Sequence, residues 1–289
     1  MKTQYDVAII GGGPAGLSAA LTLARGNRSV LVFDDDQPRN APAAHMMNFP
    51  SRDGTPPQEF RRLIREDLKK YPKVEFKAVR VQGIVRNESG FLVDGMQFKK
   101  ILLAHGVKDI LPETSGMREL FGKAIFHCPY CHGYEYLGEP MGMIGGKEYA
   151  DHMSVLLKGL TSDLVLFSDG AEVPEYEGIK VYREKIESLV YEGENLRAVK
   201  LSSGEVVERK YLFYRPDQKL STDIGVKLGC ELTESGHYKF NDFGLSSQPG
   251  VYVAGDNMTQ MQSVVIACAN GSKAAAMINF EILHEVPGH

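Results

Sequence analysis

A glycine-rich turn between two apolar segments restricts the fold of this chain more than any other feature. Residues 5–10 and 29–33 are mostly apolar, and residues 11–16 between them read Gly-Gly-Gly-Pro-Ala-Gly. The pattern predicts a strand over 5–10, a helix over 14–25 and a second, parallel strand over 29–33. A βαβ unit of this kind is typical of a nucleotide-binding α/β domain.

The glycines of this turn have separate predicted roles. Gly11 permits the tight turn, Gly13 lets the backbone approach a pyrophosphate, and Gly16 lets the helix pack closely against the strand. The helix begins at Pro14 and Ala15, and its first turn offers free N–H groups and the positive end of the helix dipole to phosphates.

An acidic residue follows the second predicted strand. Asp34 lies 18 residues after Gly16 (34 − 16), close to the offset of about 20 at which an acid binds a ribose hydroxyl. Strand, glycines, helix, strand and acid therefore occur in the order of a dinucleotide-binding domain.

A second βαβ unit is predicted by an apolar segment at 141–146, a helical stretch at 148–158 and a strand at 164–167. Here Lys147 and Ala150 occupy the positions of the second and third glycines. A side chain therefore stands where the backbone would approach a pyrophosphate. Asp169, which follows the strand, is an acid where a 2′-phosphate would need an arginine, so NADPH is a doubtful ligand.

The remaining segments predict further strands and a last helix. Residues 181–214 alternate with turns at 193–195 and 203–204, which is typical of antiparallel strands. Residues 250–256 form a strand that leads into an acidic turn, and residues 262–281 form an alanine-rich helix.

Two cysteines in the sequence Cys128-Pro129-Tyr130-Cys131 carry the redox prediction. The CxxC spacing lets the sulfurs bond, and a thiol at such a site can have its pKa lowered from about 8.5 to roughly 3.5–7.5. Four cysteines are too few for a secreted disulfide scaffold, and in a reducing compartment a close pair is more often catalytic or metal-binding.

A structural zinc site at the cysteine pair is disfavoured. His127 and His132 flank the pair, but a closed site needs four ligands, and neither Cys230 nor Cys268 has a nearby partner in the sequence. We therefore expect no metal.

Charge and hydropathy exclude several classes of partner. The net charge is −4 and the charges are interleaved, so neither a nucleic acid nor an anionic membrane is expected to bind. No apolar run approaches the roughly 18 residues of a membrane span. Lys2 is followed only by the short apolar run 7–10, so we expect a cytoplasmic protein without a signal peptide.

With these motifs in place, the chain resembles the low-molecular-weight thioredoxin reductases over nearly its whole length. The shared motifs are the first glycine turn, the segment Leu103-Ala104-His105-Gly106, the CxxC between the βαβ units, and Gly255-Asp256. The resemblance implies an α/β fold with two Rossmann-like, three-layer domains, the second inserted in the first. Residues 1–111 and 243–289 would form the FAD-binding domain, and residues 112–242 an NAD(P)-binding-like domain that carries the CxxC. A homodimer is also implied.

The resemblance also implies which residues bind the flavin. Asp256 would bind the ribityl chain, and the backbone of Gln262 and Ser263 would face the pyrimidine edge. Cys128 would exchange with substrate and Cys131 would face the flavin. The other residues expected along the FAD are Arg39, Asn40, Asn48, Gly106 and Gly255.

One departure points to a particular branch of the family. His132 follows the second cysteine, where ordinary thioredoxin reductases have an acid. The resulting Cys-x-x-Cys-His-Gly is similar to flavin-dependent dithiol oxidases such as those that close the disulfides of gliotoxin and holomycin, which use FAD and oxygen. A His with a pKa near 6.5 can take and return a thiol proton. His127 is interpreted as structural or as part of a substrate pocket.

Three hypotheses follow for the function. The first is an FAD-dependent dithiol–disulfide oxidoreductase that acts on a small-molecule or peptide dithiol, or on a thioredoxin-like protein, with oxygen or another non-nicotinamide acceptor. The second is a thioredoxin reductase driven by NAD(P)H or another donor, in which Lys147 is tolerated. The third is a redox-sensing flavoprotein without turnover.

Overall fold

The computed structural model describes residues 4–285 and divides the chain into two compact units. The first unit comprises Met1–Ala41, Thr55–Lys108 and Gln218–His289, and the second comprises Pro42–Gly54 and Asp109–Asp217. This division differs from the predicted domain boundaries in three segments. Residues 218–242 group with the ends of the chain, and residues 42–54 and 109–111 group with its middle.

Seventeen strands, six α-helices and one 3₁₀ helix, Tyr134–Tyr136, lie within the described residues. The strands are β1 Gln4–Ile10, β2 Val30–Phe33, β3 Val74–Lys77, β4 Ile84–Asn87, β5 Gly90–Val93, β6 Met96–Leu103, β7 Val107–Ile110, β8 Ile125–Phe126, β9 Met141–Ile144, β10 Leu164–Phe167, β11 Lys180–Tyr182, β12 Ile186–Glu192, β13 Asn195–Leu201, β14 Val206–Glu208, β15 Tyr211–Tyr214, β16 Asp217–Leu220 and β17 Val251–Val253. The helices are α1 Pro14–Arg25, α2 Pro57–Leu68, α3 Met117–Leu120, α4 Lys147–Lys158, α5 Ile224–Lys227 and α6 Val264–His284.

The first unit is built on a seven-stranded sheet in the order β3-β2-β1-β6-β5-β4, with β17 also paired to β6. β1, β2, β3, β6 and β17 pair in parallel, and β4 and β5 extend the sheet antiparallel. Val7 and Ile9 pack in a core with α1 and α6 on one face of β1, whereas Ala8 and Ile10 pack in a second core on the other. Because side chains alternate along a strand, burial of both faces gives three layers.

The second unit repeats the parallel arrangement in a five-stranded sheet of order β11-β10-β9-β15-β8. α4 covers one face with Met153 and Leu157. The antiparallel sheet β12-β13-β14 covers the other face with Leu189 and Val199. Both predicted βαβ units and the Rossmann-like fold class are therefore confirmed.

The prediction that all of residues 181–214 is antiparallel is wrong at both ends. β11 pairs in parallel with β10, and β15 pairs in parallel with β9. β15 reads Tyr-Leu-Phe-Tyr, and its central Leu212 and Phe213 are both fully buried. An apolar run without alternation suits a parallel strand that is covered on both faces.

Within residues 4–285, none of the helices combines the length and the apolar character needed to cross a bilayer.

Candidate active site and nucleotide-binding turns

Cys128 and Cys131 form a disulfide in the second unit, with their Cα atoms 5.3 Å apart. The pair lies in a turn just after β8, where the N–H groups of Cys131 and His132 both donate to the carbonyl oxygen of Cys128 at 3.1 Å. A Cβ at Gly133 would overlap the carbonyl oxygen of Pro129 and approach Leu160 Cδ1 to 2.7 Å. Glycine at 133 is therefore what lets the chain fold back tightly behind the disulfide.

His132 directly follows Cys131 in the chain and packs on an aromatic side chain. Its ring stacks on Phe126 with centroids 4.6 Å apart and an interplanar angle of 4°. Both ring nitrogens are buried, and neither has a hydrogen-bond partner among the described residues. Burial lowers the pKa of His132, so the imidazole is neutral at pH 7 and can accept a proton. The neighbouring His127 stacks on Phe121 with centroids 6.4 Å apart.

The first glycine turn lies between β1 and α1. A Cβ at Gly11, whose φ is +113°, would overlap the carbonyl oxygen of Ala104, and a Cβ at Gly16 would overlap the carbonyl oxygen of Gly11. At Gly11 and Gly16, the protein's own backbone therefore fills the space that a side chain or a ligand would need. By contrast, a Cβ at Gly13 would meet no atom within 4 Å.

The start of α1 is suited to an anion. Gly13 is the N-cap, and no side chain caps the helix. The first N–H groups of a helix need an acceptor from outside, and the open space at Gly13 is where a phosphate would come. The turn therefore fits the pyrophosphate of a dinucleotide, as the sequence predicts.

Asp34 has partners that the sequence analysis missed. Its Oδ2 accepts hydrogen bonds from Arg61 Nη2 at 2.6 Å and from Arg65 Nη2 at 2.5 Å. Arg61 is buried and also donates from Nε to the carbonyl oxygen of Gly12 at 3.1 Å. Both arginines lie on α2, which the sequence analysis did not assign. The arginines at 61, 62 and 65 beside apolar Phe60 and Ile64 were the available signal.

Three of the predicted flavin-binding residues meet in the first unit. Arg39 Nη1 donates to Asp256 Oδ2 at 3.0 Å and to Gln262 Oε1 at 2.5 Å. Ser263 is the N-cap of α6, and its Oγ accepts from Ile266 N at 3.3 Å. Gly255 has a φ of +86°, which favours glycine, and its Cβ position is 3.0 Å from Ala15 Cβ.

The other predicted residues are more dispersed. Asn40 lies in the turn closed by the bond from Ala41 N to Pro38 O, and Gly106, with φ +66°, follows β6. Asn48 has a φ of +61° and groups with the second unit, whereas the rest of the predicted flavin set lies in the first.

The turn before α4 has the backbone of the first turn but different surroundings. Its N-cap Gly146 has φ −79° and ψ −175°, against −76° and −176° at Gly13. Lys147 Nζ pairs with Asp151 Oδ2 at 2.5 Å, and the Tyr176 hydroxyl donates to Asp151 Oδ1 at 2.8 Å. These groups lie beside the helix start without closing it, because no side chain caps α4 and a Cβ at Gly146 would meet only Ala171 Cβ, at 3.8 Å. Gly146 therefore occupies the place of Gly13, and the prediction that the Lys147 side chain stands there is wrong.

Asp169, the acid found where a 2′-phosphate would need an arginine, also has a structural role. Its Oδ1 accepts from the backbone N of Ile186 at 2.8 Å, so the carboxylate fixes a chain reversal. The side chain of Lys185 lies against Gly170, with Cε 3.0 Å from that residue's Cβ position. The positive charge of Lys185 therefore lies near Gly170, although the segment around Gly170 itself contains no arginine.

Comparison with known proteins places these features in a family. Residues 5–165 match the model described as pyridine nucleotide-disulphide oxidoreductase. Thioredoxin reductase sirT of Leptosphaeria maculans is 32% identical over 309 residues, covering 96% of the chain and 94% of that protein. The structure of a putative thioredoxin reductase TrxB from Bacillus anthracis matches with a TM-score of 0.91 at 33% identity, covering 97% and 99% of the two chains. The structure of HlmI matches with a TM-score of 0.90 at 33% identity, covering 99% and 94%.

Proposed function

Because the chain belongs to the pyridine nucleotide-disulphide oxidoreductase family, we propose that it is an FAD-dependent dithiol–disulfide oxidoreductase with Cys128 and Cys131 as its redox-active pair. Enzymes of this family use FAD, which supplies an acceptor for two electrons when bound. The observation that carries the proposal is the disulfide followed directly by a half-buried histidine, whose two ring nitrogens are buried and have no hydrogen-bond partner among the described residues.

In this proposal the first unit binds the FAD. The uncapped start of α1 and the open space at Gly13 support a pyrophosphate there. The cluster of Arg39, Asp256 and Gln262 supports the assignment of the ribityl and pyrimidine groups to the start of α6. Asp34 is held by two arginines through Oδ2. Its Oδ1 accepts from Asp36 N at 3.3 Å and keeps a second lone pair that can accept from a ribose hydroxyl.

The thiol chemistry proceeds through two exchanges. A substrate thiolate attacks Cys128 Sγ, the disulfide bond breaks, and Cys131 leaves as a thiolate. The second substrate thiol, once deprotonated, displaces Cys128 from the mixed disulfide, so that the substrate leaves as a disulfide and both cysteines are reduced. His132 accepts one of the two thiol protons released, because its lowered pKa keeps it neutral beforehand.

The surface around the pair favours a small apolar dithiol as substrate. Residues 124–134 contain no Asp, Glu, Lys or Arg. Tyr130 and Tyr134 are 68% and 77% exposed. Exposed aromatic rings next to a reactive sulfur can stack on a flat ligand, and the nearest charged residues in the sequence are Lys123 and Glu135, at the two ends of this segment. A thioredoxin-like protein is the competing substrate.

Oxygen uptake and peroxide formation test this function. The purified protein should oxidise benzene-1,2-dimethanethiol faster than dithiothreitol, with one peroxide formed per disulfide. Cys128→Ser and Cys131→Ser should abolish turnover, and His132→Gln should lower kcat about 100-fold or more and remove its dependence on the histidine ionisation. His152→Gln, an exposed histidine on α4, is the matched control. Full turnover in both cysteine variants would refute the proposal.

One observation favours a second candidate, an NADPH-driven thioredoxin reductase. Lys185 lies beside Gly170, in the region where a 2′-phosphate would bind. In that case anaerobic NADPH would reduce the flavin rapidly and the protein would reduce a thioredoxin. Slow reduction by NADPH together with fast reduction by a dithiol would exclude this candidate.

A further inference from the structure

Gln218 joins the cluster of predicted flavin-binding residues, although no sequence motif marks it. It lies on β16, in the part of that strand assigned to the first unit. Its Nε2 donates to Gln262 Oε1 at 3.0 Å, and its Oε1 accepts from Gln262 Nε2 at 2.9 Å. The two amides therefore form a reciprocal pair.

The amide of Gln262 is fully used by its neighbours. Its Oε1 accepts from Gln218 and from Arg39 Nη1, which uses both lone pairs. Its Nε2 donates to Gln218 Oε1 and to the carbonyl oxygen of Thr259 at 3.0 Å, with the carbonyl oxygen of Asp256 at 3.3 Å. This network determines which end of the amide faces which partner.

The orientation of Gln262 decides whether Arg39 has an acceptor. If the amide were flipped, its NH₂ group would face the Arg39 guanidinium, and two donors would oppose each other. A residue at 218 that both donates and accepts opposes that flip, because a flip of Gln262 alone would also place donor against donor and acceptor against acceptor in the amide pair. Arg39 in turn pairs with Asp256 at 3.0 Å, with both side chains largely buried.

From this geometry we infer that Gln218 is a positioning residue of the FAD site. It holds the Gln262 amide with Oε1 toward Arg39, and so holds the Arg39–Asp256 pair where the ribityl and pyrimidine groups bind. The inference rests on the proposed function for the identity of the ligand, whereas the link from Gln218 to Arg39 is a property of the protein alone.

The first test is a double-mutant cycle on the full-length protein without added FAD. Gln218→Met and Arg39→Met, measured singly and together by urea unfolding, should be non-additive by about tenfold in the unfolding equilibrium constant. In a Gln262→Met background this coupling should vanish, because Gln218 acts on Arg39 through that side chain. Strict additivity in the native background would overturn the inference whether or not the protein binds FAD.

The second test measures FAD itself. Gln218→Met should raise the Kd for FAD, followed by quenching of flavin fluorescence, about tenfold. It should also make the reduction potential of the bound flavin more negative, because a displaced Arg39 stabilises the added negative charge less. Gln58→Met, at an exposed position on α2, is the matched control and should change neither quantity.

The two tests separate the possible failures. If the parent protein does not bind FAD, the proposed function fails, and the coupling cycle still decides the role of Gln218. If the parent binds FAD and Gln218→Met matches Gln58→Met in affinity and potential, the positioning role is refuted.

Discussion

His105 shows how a single residue links buried polar groups near the first glycine turn. Ser221 Oγ donates to the His105 carbonyl oxygen at 2.6 Å, so Nδ1–H of His105 must be the donor toward Ser221 Oγ at 3.1 Å and Gly106 O at 3.0 Å. Nε2 is then left to accept from the Tyr238 hydroxyl at 3.2 Å. The neutral Nδ1–H tautomer satisfies every member of the network.

The burial of His105 predicts a loss of stability in mild acid. Burial, with a smaller effect of the Arg80 charge, lowers the pKa of His105 to about 4, against 6.5 for an ordinary histidine. The unfolded chain therefore binds a proton before the folded protein does. The neutral His105 side chain therefore contributes about 1–3 kcal/mol to the free energy of unfolding. This contribution is complete above pH 6.5 and is lost as the pH falls toward 4.

Urea unfolding at pH 7.5 and pH 5.0 measures this effect. The parent should lose more stability between these values than His105→Asn. His132, whose pKa is also lowered by burial, contributes a further share that remains in the variant. Equal acid sensitivity of the parent and His105→Asn would contradict the prediction.

At the scale of elements, α1 is held by close packing on one side and open on the other. A Cβ at Gly271 of α6 would overlap the carbonyl oxygen of Ala15, so the two helices touch backbone to backbone. At Gly13 the same addition meets nothing. One glycine therefore serves packing, and the other leaves space for a ligand.

This contrast predicts opposite effects of the same substitution. Gly271→Val should destabilise the protein by about 1–3 kcal/mol through overpacking. Gly13→Val should leave the apoprotein stability nearly unchanged, because the extended backbone at Gly13 accepts valine. It should weaken FAD binding about 10- to 100-fold, since each lost hydrogen bond to a phosphate costs about 1.5–3 kcal/mol.

Thermal unfolding with and without FAD distinguishes the two variants. Full yellow colour and unchanged FAD affinity in Gly13→Val would show that the pyrophosphate does not bind at this turn.

At the scale of the whole molecule, two βαβ units share one backbone design with different surroundings. The N-caps Gly13 and Gly146 agree within a few degrees in φ and ψ. In the second unit, Tyr176 donates to Asp151 and lies 3.4 Å from the carbonyl oxygen of Lys147. Tyr149 lies against Gly145, so that a Cβ there would be 2.7 Å from its ring.

Asp169, which lies where a 2′-phosphate would need a cation, predicts that NADPH is a poor reductant. Because this carboxylate would repel the phosphate, flavin reduction by NADPH should be about 100-fold slower than reduction by a dithiol. Stopped-flow absorbance with each reductant in turn measures the difference. Asp169→Asn, which can still accept from Ile186 N through Oδ1, should speed the NADPH reaction. Rapid, saturable reduction of the parent by micromolar NADPH would contradict the prediction.

The sequence by itself determined the two βαβ units, the CxxC turn and the first glycine turn. Each is a local pattern, because apolar periodicity, glycines and a three-residue spacing act over a few residues of chain. The boundaries of α1 and β10 follow the prediction to the residue.

Only the tertiary structure decided which side chains meet. Arg65 is 31 residues from Asp34, and Gln218 is 44 residues from Gln262. Lys185 approaches Gly170 because β11, which ends just before Lys185, pairs in parallel with β10, which ends just before Gly170. A local pattern does not specify such partners, since they depend on the path of the backbone between them. For the same reason, the sequence did not specify the parallel pairing of β15 with β9. A parallel strand in this position is stable because both faces of the sheet are covered, and only the assembled unit covers them.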